Sequence, residues 1–139
     1  MNFEEINNNN KNLDNFESTN GIIIDSVSKN EVKAHIDITK RSLNPWGMVH
    51  GGLIFGIADE VIGMLCYMNG YKAVTIDANI NYLKPCMGNI KAVSQIIKMG
   101  RTVSVLEAKI YNEKDELAAI ATMNYFNIDT IEKNISTTY

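Results

Sequence analysis

At 139 residues the chain fits one domain by the usual size prior and is long enough to bury a real core. A hydrophobic share of 45% and a charged share of 21% are ordinary for a globular protein. The formal net charge is -3, with lysines and acids interspersed, so there is no basic face for nucleic acid and no such partner is expected.

The N-terminus "MNFEEINNNNKNLDNF" is polar and acidic, whereas a secretory signal starts positive and continues apolar, so no signal peptide is expected. Residues 1–20 carry the Asn run 7–10 and little periodicity, and read as a frayed tail or a short surface helix. A main domain is expected over 21–128, with a C-terminal tail over 129–139. In "GIIIDSVSKNEVKAHIDIT", Ile22, Ile23 and Ile24 are β-branched, and Val32, Ala34, Ile36 and Ile38 alternate with polar residues. That pattern predicts two strands around Lys29-Asn30.

A loop, "KRSLNPWGMVH", leads into Gly51–Met68, which is too long and continuous for a strand and reads as a helix. Leu53, Ile54, Phe55, Ile57, Val61, Ile62, Met64 and Leu65 cover most of its circumference, and a helix apolar nearly all round is a buried one. A carboxylate pair at its centre argues against a membrane span, because ionised groups are costly there. Asn69-Gly70 stops it. In "KAVTIDANINYL" (72–83), Val74, Ile76, Ala78, Ile80 and Tyr82 fall on one face and Thr75, Asp77, Asn79 and Asn81 on the other. Pro85 ends that strand. "NIKAVSQIIK" and "TVSVLEAKIY" flank a tight turn at Met99-Gly100, and "ELAAIATMNYFNI" forms the last strand.

Two cysteines, Cys66 and Cys86, make neither a disulfide framework nor the clustered C-x-x-C ligands of a zinc site. Reduced thiols in a cytoplasmic protein are expected, and no metal.

Asp59 and Glu60 are the chemically informative feature. Adjacent acids on a helix are most often a solvated edge, but here Ile57, Ala58, Val61 and Ile62 surround them. Neighbouring helical residues point about 100° apart, so at most one of the two faces a given pocket. His50 alone is compatible with a structural place at the helix start, and Gly51-Gly52 with a tight turn. Together, the same residues allow chemistry. A helix beginning at Gly51-Gly52 offers free backbone N–H groups at the positive end of its dipole, close enough for a carbonyl to approach. That is an oxyanion site for acyl transfer. A carboxylate in a partly apolar site activates water or attacks the acyl carbon itself, with no metal needed.

Roughly six antiparallel strands and one apolar helix, an α+β pattern, resemble the hotdog fold, in which a curved sheet wraps one long central helix. The segment N-P-x-G-x-x-H-G-G-x-x-x-x-x-x-D, Asn44 through Asp59, is similar to the signature of hotdog-fold acyl-CoA thioesterases of the phenylacetate-degradation type. The resemblance continues in "TIDANINYLKP" (75–85) and "GRT" (100–102) and covers about residues 20 to 127. It implies that Asp59 is the nucleophile or general base and that the Gly51 N–H polarises the thioester carbonyl, with Gly52 beside it and His50 supporting the turn. It implies that Asn44 helps place the thioester or the water, and that Thr75 lies near the attacking water. It puts Lys84 and Arg101 where relatives meet the phosphates of CoA. A sister branch of the fold uses a helix Glu, but the spacing favours Asp59 over Glu60.

The substrate implied is an acyl-CoA, with no cofactor beyond the CoA of the substrate and no membrane partner. Gly51 and Asp59 are eight residues apart, about 12 Å along one helix. Reacting atoms must approach to roughly 3–3.5 Å, so the two groups are expected to meet across subunits of a dimer or tetramer. Two other readings are an acyl-thioester hydratase or dehydratase on the same fold and a non-catalytic acyl-CoA-binding protein. The hydratase spacing is not found, and 20 residues before Gly21 are too few for a DNA-binding regulatory domain. The acyl group is left to the packing of Trp46, Phe55, Met64 and Tyr82.

Overall fold

Alternating strands and one continuously apolar run resolve into a six-stranded antiparallel sheet curved around a single helix. The computed structural model describes residues 1–131. The strands are β1 (Ile22–Val27), β2 (Glu31–Ile36), β3 (Tyr71–Tyr82), β4 (Ile90–Lys98), β5 (Val103–Tyr111) and β6 (Leu117–Thr130). Their order across the sheet is β1-β2-β4-β5-β6-β3. The central helix α3 (Gly51–Met68) packs against all six strands. It is long and apolar enough to match a membrane span by composition, and the sheet buries ten of its residues.

The core follows the pleat. Val32, Ala34 and Ile36 of β2, Leu106, Ala108 and Ile110 of β5, and Ala119, Ala121 and Met123 of β6 are buried against Ile57, Val61, Ile62 and Leu65 of α3. One polar group joins them: the Ser94 hydroxyl on β4 donates to the Val61 carbonyl of the helix at 2.8 Å. Asn69 caps α3, and Gly70 follows with φ +89°, the left-handed conformation that glycine adopts without strain.

Of the two forms expected for residues 1–20, a frayed tail or a short surface helix, the helical one is found: α1 (Phe3–Leu13) and α2 (Phe16–Thr19) dock on β1, with Ile6 and Asn10 buried. Asn7 is the clasp. Its side chain donates to the Ile24 carbonyl at 2.8 Å and accepts from the Ile24 N–H at 2.9 Å, completing hydrogen bonds that an edge strand leaves open. One expectation is corrected, at β3. The register against β6 shifts between Thr75 and Asp77, so Ile76 is an extra residue in a bulge. Thr75 pairs with buried Tyr125 and shares its inward face, while Val74 and Ile76 are 45% and 56% exposed. The single apolar face expected for Val74 through Tyr82 therefore changes sides at Ile76. At the C-terminus, β6 reaches Thr130, two residues beyond the expected boundary. The rest of that expected tail, 132–139, lies outside the described residues.

Candidate functional site

The loop before α3 is built by its own polar groups. The Asn44 side-chain oxygen accepts from the N–H of Trp46 at 2.9 Å and of Met48 at 3.1 Å, and the Asn44 N–H donates to the Met48 carbonyl at 2.7 Å. His50 then takes an extended backbone conformation as N-cap, and its Nδ1 accepts from the Gly52 N–H at 2.8 Å. An accepting Nδ1 carries no proton, so in the neutral ring the proton sits on Nε2. The N–H groups of Leu53 and Ile54 reach back to the His50 carbonyl at 3.0 and 3.2 Å. Among the described residues, the Gly51 N–H is thus the one of the first four helix donors left without an intrachain acceptor.

Tyr82, at the far end of β3, stands beside this donor. Its hydroxyl donates to the Gly51 carbonyl at 2.7 Å, and its ring lies 3.5 Å from where a Gly51 Cβ would be. Partial burial raises the Tyr82 hydroxyl above its ordinary pKa and keeps it a donor. A cleft of about 310 Å³ opens here, lined by Asn44, Gly51, Ile54, Tyr82, Lys84 and Cys86 among others.

Asp59 belongs to a different place. The Thr75 hydroxyl donates to Asp59 Oδ1 at 2.5 Å. The buried Tyr125 hydroxyl is within hydrogen-bonding reach of the same Oδ1 and of the Asp59 carbonyl oxygen, the latter at 2.8 Å. Both hydroxyls gather on one carboxylate oxygen, Oδ1. Asp59 is half-buried, whereas neighbouring Glu60 is only 7% exposed.

The structure therefore groups the residues singled out from sequence into two sets. Asn44, His50, Gly51, Gly52 and Lys84 gather at the N-terminus of α3, and Thr75 joins Asp59 two turns further along. Neither Asp59 nor Thr75 lines the Gly51 cleft. The basic pair is likewise divided. Lys84 follows β3 beyond Tyr82 and forms an ion pair with Glu116 at 2.5 Å, whereas Arg101 lies in the β4–β5 turn, toward the opposite end of β3. That pairing, aided by Asn112, holds the Glu116 carboxyl below its usual range. Of the residues left to shape an acyl pocket, Met64 is fully buried, Phe55 half-buried, and Trp46 and Tyr82 are 79% and 51% exposed.

Tyr125 was not singled out from sequence. Its signal is a hydroxyl at the end of an otherwise apolar inward row, Ala119, Ala121 and Met123, but only the β3–β6 pairing brings it to Asp59. Among the described residues, no three His, Cys, Asp or Glu side chains gather into a group that could hold a metal ion.

Residues 47–119 match the family model of the thioesterase superfamily. The acyl-coenzyme A thioesterase PaaI of Escherichia coli is 26% identical over 102 residues, covering 72% of this chain and 73% of that protein. Its solved structure superposes with a TM-score of 0.79 over 94% of this chain and 99% of that one, at 23% identity. Human acyl-coenzyme A thioesterase 13 is 28% identical over 104 residues, covering 71% of this chain and 74% of that protein. A Streptococcus mutans protein solved with bound acetyl-CoA is 29% identical, with a TM-score of 0.76 over 80% of this chain and 91% of that one.

Proposed function

The chain belongs to the thioesterase superfamily, with a hotdog fold of the phenylacetate-degradation type, and is a hydrolase of thioesters; on that premise we propose that it cleaves an acyl-CoA to the free acid and CoA. The observation that carries the reading is the Asp59 carboxylate, half-buried on the core helix and held through Oδ1 by Thr75 and Tyr125. Two hydroxyls on one oxygen fix the carboxylate's orientation and direct the other oxygen at the reacting centre.

In the proposed reaction, Asp59 takes a proton from water as the water oxygen adds to the thioester carbonyl, or attacks that carbon itself. The carbonyl oxygen becomes an oxyanion held by the Gly51 N–H at the positive end of α3. Collapse of the tetrahedral intermediate breaks the C–S bond, and the CoA sulfur leaves as a thiolate that takes up a proton. With Asp59 as base, the acid leaves directly. With Asp59 as nucleophile, water then hydrolyses the acyl-aspartate. His50 keeps the helix N-terminus in shape through Gly52, and Asn44 lines the cleft beside the donor. Lys84 is expected to meet a CoA phosphate. Its pair with Glu116 is exposed and screened by water, so a phosphate can displace it. Arg101 is proposed to play the same part from the other end of β3.

About 12 Å of helix separates Gly51 from Asp59, so the reading includes a two-fold dimer or a pair of such dimers. In each active site, the helix N-terminus of one subunit faces Asp59 of its partner. CoA enters as part of the substrate. Two buried free thiols, Cys66 pushed up to about 12 and Cys86 to about 11 by burial, fit a reducing cytoplasmic setting.

The test is thiol release from a panel of short-chain, long-chain and aromatic acyl-CoAs, with Asp59→Asn as the matched control. Turnover by the wild type that Asp59→Asn loses is expected. Binding without thiol release across the whole panel would sink the reading.

A further inference from the structure

The N-terminal helices reach α3 at Gly56. A Cβ added to Gly56 would lie 3.1 and 3.2 Å from Cζ and Cε1 of Phe16, so the tip of the Phe16 ring sits directly over the bare backbone of α3. Gly56 and Asp59 are three residues apart, neighbours on one helix face and about 4.5 Å apart along the axis. The ring is therefore one turn from the carboxylate, on the side leading back toward the helix N-terminus.

Its placement is fixed by the Asn-rich segment. Asn7 clasps the β1 edge, Asn10 is buried and accepts from Asn15 Nδ2 at 2.9 Å, and the Asn15 oxygen caps α2 at the Ser18 N–H at 3.1 Å. Phe16 is the first residue of α2. Although its ring tip is seated, Phe16 remains 55% exposed. A lone exposed phenylalanine needs no explanation. One anchored over a glycine beside a reactive carboxylate is placed to meet whatever the carboxylate acts on.

We propose that Phe16 forms the end wall of the acyl-group pocket, so that the enzyme favours short acyl groups and turns away long chains at Gly56. The proposal rests on the acyl-CoA reading above and adds the substrate class to it. An acyl carbon attacked at Asp59 carries its chain along the half-buried face of α3. A chain running over Gly56 meets the Phe16 ring within one turn.

The test compares kcat/KM on butyryl-CoA and lauroyl-CoA for the wild type and for Phe16→Ala, Phe16→Leu and Phe16→Trp, with circular dichroism to check folding. One or two methylenes of pocket are worth roughly tenfold or more in discrimination. The lauroyl-to-butyryl ratio is expected to rise at least about tenfold in Phe16→Ala, less in Phe16→Leu, and to fall in Phe16→Trp. A purely structural role for Phe16 would lower both substrates together and leave the ratio unchanged. An unchanged ratio in folded, active variants means that the acyl chain does not meet Phe16, and overturns the proposal alone. A folded wild type that releases thiol from neither substrate nor from any other acyl-CoA removes the acyl-CoA reading, and the proposal with it.

Discussion

Asp59 draws its hydroxyl partners from 16 and 66 positions away, Thr75 on one edge strand and Tyr125 on the strand beside it. Asp59→Asn keeps the side-chain volume and removes the proposed base or nucleophile. A loss of at least about 10²-fold in kcat is expected, with the melting temperature little changed. Tyr125→Phe removes a hydrogen bond to a charged group, and a loss of about tenfold in kcat/KM is the expected result. Glu60→Gln should cost less than Asp59→Asn; a larger loss would reassign the catalytic acid. At Gly51, a Cβ would meet the Tyr82 ring at an ordinary 3.5 Å, so alanine fits the free protein. In the proposed reaction the larger Gly51→Val crowds the thioester oxygen, and losing one oxyanion donor costs about 2.7–4 kcal/mol, so a fall of at least about 10²-fold in turnover is expected. A folded Gly51→Val enzyme with near-full activity would remove Gly51 from the mechanism.

Among the elements, the connections fix where the strands begin. The link from β3 to β4 is tied down by Glu113, whose Oε2 accepts from the N–H of Met87 at 3.1 Å and of Gly88 at 3.3 Å. Those backbone donors, with its own N–H first, hold the Glu113 carboxyl below its ordinary value of 4.5. A lowered folded-state pKa contributes stability that is fully present above the unfolded value and lost as pH falls through the folded one. Glu113 is exposed, so solvent screening limits this to less than about 1 kcal/mol. Glu113→Gln is expected to destabilise slightly at pH 7 and to flatten the fall in melting temperature below pH 4.5, measured by thermal denaturation across that range. An identical acid slope in the two proteins would show that the Glu113 contacts do not form in solution. The bulge at Ile76 acts on the same scale. One extra residue in β3 turns Thr75 inward toward Asp59 and still lets Ala78, Ile80 and Tyr82 face the helix.

For the whole molecule, the proposed reaction makes assembly part of the chemistry, because about 12 Å of helix separates Gly51 from Asp59. If two subunits each give a helix N-terminus to the other's carboxylate, inactive Gly51→Val and Asp59→Asn proteins should complement each other. In a heterodimer of the two, one active site carries both lesions and the other none. Equal mixing after dissociation and reassociation gives half heterodimers, so recovery to roughly a quarter of wild-type activity is expected. Mixed protein that stays as inactive as its parents, despite proven subunit exchange, would place both groups in one chain's site.

Much of this was legible along the chain because its causes are local. Helix length, the strand alternations, the Asn69-Gly70 stop and the spacing from His50 to Asp59 depend on residues within a few turns or pleats of one another. The fold class follows, since an all-round apolar helix needs a sheet curved around it. Three things were decided only by tertiary contacts. The Asn run looks featureless until β1 presents an open edge for Asn7. The bulge at Ile76 is invisible in an unbroken alternation, because a strand's register is set by its partner. Tyr125 reaches Asp59 only because β6 lies between β5 and β3, and strand order is a property of the folded sheet that no single segment carries.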